Sequence, residues 1–223
     1  MSYEKKVFDY KEKLLLTQPD PENKEQYNAW VETVRQEDIE SEKENYEVRE
    51  SGIEGKGWYA RHDFQQGETI SHYLVGKYED LRSDDQMEEG SAFEHSAIQA
   101  GISPDGKALY VGVPNHLRQY INHSCEPNAG IRRQARSEGG WDSELIAIHT
   151  IRTGDEIVID YSTTQLEKWS MDECRCGASL CRHTVTDFAQ LDRNLQENYI
   201  KLGIVPDWMI EVVRPELSPK AKE

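Results

Sequence analysis

Four cysteines constrain this chain more than any other feature, because three of them are clustered and one is remote. The cluster is Cys174-x-Cys176-x4-Cys181, with Gly177 permitting a tight turn inside it. Thiolates at such short spacing can converge on one Zn2+, and a closed structural zinc site takes four ligands. The remaining cysteine, Cys125, stands well upstream. An all-cysteine site would draw Cys125 against 174–181 and staple the C-terminal segment onto the core. His183 competes for the fourth position. Free thiols without metal are the plainer reading of the same residues. Neither the N-terminal MSYEKKVFDYKEKLLL, with no apolar h-region and no small-residue cleavage site, nor any run of 18 apolar residues directs the chain to a membrane or secretory route. The expected location is the nucleus or cytoplasm, where such cysteines are more often metal ligands or reactive thiols than disulfides.

The texture of the chain changes twice. Residues 1–48 are charged and nearly free of Gly, with helix-like spacing at Tyr27, Ala29, Trp30, Val31 and Val34. Pro19 and Pro21 divide them, so two helices are expected, over 3–17 and 22–46. From Ser51-Gly52 to Tyr161 come short apolar runs broken by Gly, Pro, Asn and Asp. The runs at 69–75, 109–113, 145–148 and 156–160 are four to eight residues long and rich in β-branched residues, which favours strands. Residues 82–91 read as an acidic loop or short helix, and 137–143, SEGGWDS, as an exposed hairpin loop. Beyond the cysteines, Phe188, Leu191, Leu195, Tyr199 and Leu202 fall at steps of three and four. They suggest a helix over 186–202, with Thr186 as cap and Gly203 as terminator. A last short helix starts at Pro206-Asp207-Trp208, and 218–223 reads as a frayed tail. Helices, then many short strands, then helices indicate an α+β fold with a mainly antiparallel β core. The expected divisions are a helical extension at 1–48, a β domain at 49–165, a cysteine segment at 166–184 and a helical extension at 185–223.

Lys and Arg total 26 against 42 Asp and Glu, a net charge of −16. Duplex binding runs on Lys and Arg contacts to phosphate, so this balance argues against direct nucleic-acid binding over the surface. It suits a basic partner, since opposite charge speeds encounter. Solubility alone is the plainer explanation.

Three further segments carry chemistry. Asn122-His123-Ser124-Cys125-Glu126-Pro127-Asn128 has the Asn, Ser and Pro of a compact, self-bonded loop. Gly55-Lys56-Gly57-Trp58 lets backbone approach a ligand, although by itself it is a turn. Gly154-Asp155-Glu156-Ile157-Val158-Ile159-Asp160-Tyr161 is a turn and a buried-looking strand ending in an acid and a tyrosine.

In this order the segments resemble the SET-domain protein lysine methyltransferases. GKGW is similar to the family's GxGW/R segment, and ISHYLVGK to its EYVGE strand. INHSCEPNA resembles RFINHSCxPNA, GDEIVIDY resembles GEELTFDY, and CRCGASLC resembles the post-SET CxCxxxxC. The resemblance spans roughly residues 50–183 and implies a knot-like β fold in which the NHSC loop and the final DY strand thread together. It implies S-adenosylmethionine (SAM) as methyl donor and a lysine of a basic protein or peptide as acceptor, a histone tail being one candidate. Carried over, Lys56, Gly57 and Trp58 would meet SAM mostly through backbone. Tyr73, Asn122, His123 and Arg175 would complete its pocket. Tyr161 would be the catalytic tyrosine, with Tyr120 and Ile159 lining the substrate channel. Cys125, Cys174, Cys176 and Cys181 would hold Zn2+, in line with the count of cysteines above. His72 replaces the glutamate of EYVGE, Gln119 the arginine of RFINHSC, and Ile159 the aromatic of FDY. With Ile159 in that place, di- or trimethylation is expected. A zinc-stapled module that binds a basic partner without catalysis, or a SET scaffold acting on a small molecule, are the competing expectations.

Overall fold

The structure is a computed structural model. It describes residues 42–72, 82–83, 97–103, 105–112, 120–135, 141–166 and 170–218, and positions 23, 25–26, 29–30 and 33. The expected helix over 3–17, the run 73–75, the acidic segment beyond Ser83 and residues 137–140 of the loop expected over 137–143 lie outside the described residues.

Among these residues the strands are β1 (Tyr46–Glu50), β2 (Lys56–Ala60), β3 (Thr69–His72), β4 (Arg82–Ser83), β5 (Ala97–Ile102) and β6 (Ala108–Gly112). They continue with β7 (Asn122–His123), β8 (Ala129–Ala135), β9 (Trp141–Ala147), β10 (Glu156–Ile159), β11 (Ser170–Met171) and β12 (Val185–Thr186). Four sheets result, in the orders β1-β2-β10-β7, β3-β9-β8, β4-β6-β5 and β11-β12. Every pairing is antiparallel except β7 with β10, where Asn122 and His123 run beside Val158 and Ile159. The mainly antiparallel β core expected from the order of textures is met, and the NHSC segment lies alongside the strand that leads to Tyr161.

The apolar run 145–148 explains the layering. Successive strand residues point to opposite faces. Leu145 and Ala147 join a cluster with Trp58, Phe64, Ile70, Ile151 and Ile157, whereas Ile146 and Ile148 join a second with Phe188, Ile204 and Met209. A strand buried on both faces needs a continuous apolar sequence rather than an alternating one. The second cluster sits under two helices, α1 (Arg193–Lys201) and α2 (Asp207–Val213). Gly130 of β8 lets this layer come close: a Cβ there would lie 2.5 Å from Ile204 Cγ2.

Five boundaries differ from the sequence reading. The exposed loop expected over 137–143 has given way by Trp141 to β9, where Ser143 is buried, and the acidic loop or helix expected over 82–91 begins as β4 at Arg82–Ser83. The helix expected over 22–46 is over before Tyr46, which opens β1 and stacks on Trp58 with ring centroids 3.6 Å apart. The helix expected over 186–202 starts at Arg193. Thr186 is in β12, Leu191 is extended, and Asp192 provides the cap by accepting from the N–H groups of Asn194 and Leu195. Its end is as expected: Gly203 has φ +71°, its N–H reaches Ile200 O, and the Ile204 N–H reaches Tyr199 O, a Schellman arrangement. Ser218, assigned to a frayed tail, is 3% exposed after a 3-10 turn at Pro215–Leu217.

Candidate functional site

The parallel pair β7–β10 brings the three motif segments together. Asn122 Nδ2 donates to Lys56 O at 3.0 Å, to Glu54 O at 3.2 Å and to Glu156 Oε1 at 2.7 Å. The Glu156 carboxylate also accepts from Ser51 Oγ at 2.8 and 2.9 Å and from the Tyr59 hydroxyl at 3.0 Å. Gly57 leaves room for this pair, since a Cβ there would displace the Glu156 carboxylate. Asn128, the last residue of the NHSCEPN loop, accepts from the Val158 N–H at 2.9 Å and donates to Glu156 O at 2.8 Å. The loop thus completes the edge of β10 with one amide side chain. Glu156 is one residue to which the sequence reading gave no role. Its signal, an acid opening a buried strand after a turn, is shared with many ordinary strands.

Of the expected cofactor residues, Lys56 is exposed and Trp58 is fully buried. Tyr73 lies outside the described residues. Arg175 is 64% exposed and pairs with Glu173 at 3.6 Å.

Tyr161 opens a 3-10 turn, Tyr161–Thr163, capped by the Asp160 side chain. Its hydroxyl donates to Ile121 O at 2.6 Å and its N–H donates to His123 Nδ1 at 3.2 Å. Tyr120 and Tyr161 pack against the first core cluster, and Ile159 is part of it. With Nδ1 accepting, the His123 tautomer assigned from these contacts carries its proton on Nε2, 3.3 Å from Cys125 Sγ. Burial lowers the His123 pKa to about 4 against the pull of Asp160, so the ring is neutral at physiological pH.

The thiols gather at the end of β7. The ligand atoms of His123, Cys125, Cys174 and Cys176 lie within 4.8 Å of one another. Cys125 and Cys174 sulfurs are 3.9 Å apart. That fits tetrahedral thiolates on one zinc, whose sulfurs sit about 3.8 Å apart for a Zn–S bond of about 2.3 Å. Cys181 interacts with the side chains of both Cys174 and Cys176. His183 is exposed and meets the cysteines through its backbone, its N–H 3.4 Å from Cys181 Sγ, whereas the His123 ring lies within the cluster. The atoms that lie together are those of His123, Cys125, Cys174 and Cys176, so His123 stands beside Cys181 as a candidate for the fourth place. Burial pushes the Cys125 thiol up and Cys174 to about 11. Cys176 falls to about 7, because hydrogen bonds at Cys125 and Ala178 outweigh its burial.

Protein contacts hold the same segment. Glu126 accepts from Ser179 Oγ at 2.9 Å and from the Leu180 N–H at 3.0 Å. The Arg182 N–H meets Cys125 Sγ at 3.3 Å, and its guanidinium grips Asp160 through two bonds of 2.7 and 2.8 Å. The sequence reading gave neither Glu126 nor Arg182 a role, since both look like ordinary surface charges.

The SET domain family model matches residues 55–162, the span from the GKGW turn to the turn after Tyr161. The match covers just under half of the chain and marks residues 55–162 as similar to a SET domain. Histone-lysine N-methyltransferase ASHH2 of Arabidopsis thaliana is 26% identical over 138 residues, covering 61% of this chain and 8% of that protein. Histone-lysine N-methyltransferase mes-4 of Caenorhabditis elegans is 30% identical over 146 residues, covering 59% and 16%. Human histone-lysine N-methyltransferase 2B is 25% identical over 142 residues, covering 63% and 5%. The chain therefore spans less than a fifth of the length of these relatives. The SET match stops short of the cysteine segment and of α1 and α2, which the fold nevertheless packs directly onto the SET strands.

Proposed function

We propose that the chain is a SAM-dependent protein-lysine N-methyltransferase acting on a basic protein or peptide, with a histone tail as a candidate substrate. The observation that carries the reading is the β7–β10 pair, which sets Asn122, His123, Gly57 and Tyr161 around one point of a SET domain. SAM supplies an activated methyl group on a sulfonium, and transfer to an amine needs no covalent enzyme intermediate and no metal at the reacting carbon.

The protein has to align the amine and exclude water. It also has to supply the amine uncharged, since a free lysine of pKa about 10.4 is neutral in only about one molecule in 2,500 at pH 7. Burial against the apolar Tyr120 and Ile159 disfavours the ammonium. The Tyr161 hydroxyl orients the amine by a hydrogen bond. Lys56, Gly57 and Trp58 through backbone, with Tyr73, Asn122, His123 and Arg175, hold SAM. Cys125, Cys174, Cys176 and Cys181 hold a structural Zn2+ that pins residues 166–184 beside the site. The SET domain of this proposal runs from 49 to 165, with extensions at 1–48 and 185–223. The net charge of −16 supports a basic substrate in the nucleus or cytoplasm. Ile159 has no hydroxyl to fix a water on the amine and is smaller than an aromatic, so a methylated amine can turn for another transfer. Di- or trimethylation follows.

Calorimetric titration with SAM tests the reading. One site per chain, lost in Asn122→Ala, is expected. No binding at millimolar SAM would overturn the enzyme and leave a zinc-stapled module that binds a basic partner.

A further inference from the structure

Asp160 carries partners that the proposed chemistry does not use. Its side chain is 0% exposed. One oxygen accepts from the Tyr199 hydroxyl at 2.8 Å and from Arg182 Nη1 at 2.7 Å. The other accepts from Arg182 Nη2 at 2.8 Å and from the Ser162 N–H at 3.0 Å. A carboxylate cut off from water must satisfy its lone pairs internally, so these donors fix where it stands. Asp160 directly precedes Tyr161 and caps its 3-10 turn. Tyr199 is 2% exposed in α1, beyond residue 162 where the SET match ends. A phenylalanine would fill the same place in the second core cluster. The hydroxyl adds polar contacts to Asp160 and to Arg182, the residue that grips the same carboxylate.

We infer that Tyr199 is a positioning residue for Tyr161, acting through Asp160, so that α1 belongs to the machinery of the site. The inference rests on the reading of Tyr161 as the group that orients the amine. Moving that hydroxyl by a fraction of an ångström degrades the alignment of amine and methyl without touching either binding site.

Tyr199→Phe tests it, with two readouts. Hydrogen–deuterium exchange should become faster in peptides covering 160–164 and stay unchanged in 46–60. Turnover, counted per SAM-binding site by calorimetric stoichiometry, should fall about tenfold. KM for the peptide and Kd for SAM should stay within about twofold, a split that a smaller folded fraction would not produce once sites are counted. If Tyr199→Phe does not fold, Arg182→Lys, which keeps the charge and loses the two-pronged grip, should give the same pattern. Wild-type exchange at 160–164 in the variant overturns the inference, as does faster exchange with unchanged turnover. A wild-type protein that transfers no methyl group at all would instead overturn the functional reading on which the inference rests.

Discussion

Tyr161 is held by its hydroxyl on Ile121 O, by its N–H on His123 and by its carbonyl on Thr164. Removing the hydroxyl alone therefore separates chemistry from folding. Tyr161→Phe should lower methyl transfer roughly a hundredfold or more, if the hydroxyl orients the amine. Stability should change by no more than about 1–2 kcal/mol, the worth of one hydrogen bond. Turnover assays and denaturant melts check the two halves. Ile159 poses a second question at this scale. It is 5% exposed, against the same cluster as Tyr120. Ile159→Tyr should shift products toward monomethyl-lysine, read from a time course of mono-, di- and trimethyl peptide by mass spectrometry. A wild type that stops at one methyl would contradict the multiplicity argument. Asn122, His123, Cys125 and Tyr161 were legible in sequence because they sit in one dense motif and one strand end. Glu156, Glu126 and Tyr199 were not. Each matters through a partner distant in sequence, and a single sequence does not show that partner.

The cysteine segment is fastened by thiols, by Glu126 and by the Arg182–Asp160 pair. These fastenings can be loosened separately. Cys181→Ser should release zinc from a protein that otherwise holds one per chain, and should raise protease sensitivity over 165–185. Full zinc in that variant would place His123 rather than Cys181 in the ligand set. The ion pair answers to pH. Burial would raise the Asp160 pKa, but Arg182 holds its carboxyl below the usual range. A depressed folded pKa contributes stability above the unfolded value of about 3.9 and loses it as pH falls through the lower folded one. Asp160→Asn should thus be less stable at pH 7 and should lose less stability between about pH 4 and pH 2 than wild type, in melts across that range. At this scale the sequence reading found β10, the core of β9 and the Gly203 terminator, because apolar runs and a glycine signal locally. It misplaced the start of α1, since the apolar spacing from Phe188 onward continues through Leu191, whose backbone is extended, and only Asp192 supplies a cap.

In the whole molecule, β9 separates two apolar layers, and the C-terminal helices close the outer one against Gly130 and Ile146. The fold class was readable from the order of textures along the chain. The joining of α1 to the site was not, because helical spacing records that a face is buried but not against what. No helix among the described residues is long and apolar enough to cross a membrane. The most direct test is incubation of the zinc-loaded protein with methyl-labelled SAM, a panel of histones and cell extract, followed by mass spectrometry of the labelled bands. Label on lysine side chains of a basic protein, lost in Tyr161→Phe, is the expected result. Label absent from every lysine, in protein that binds SAM and holds zinc, would contradict the account.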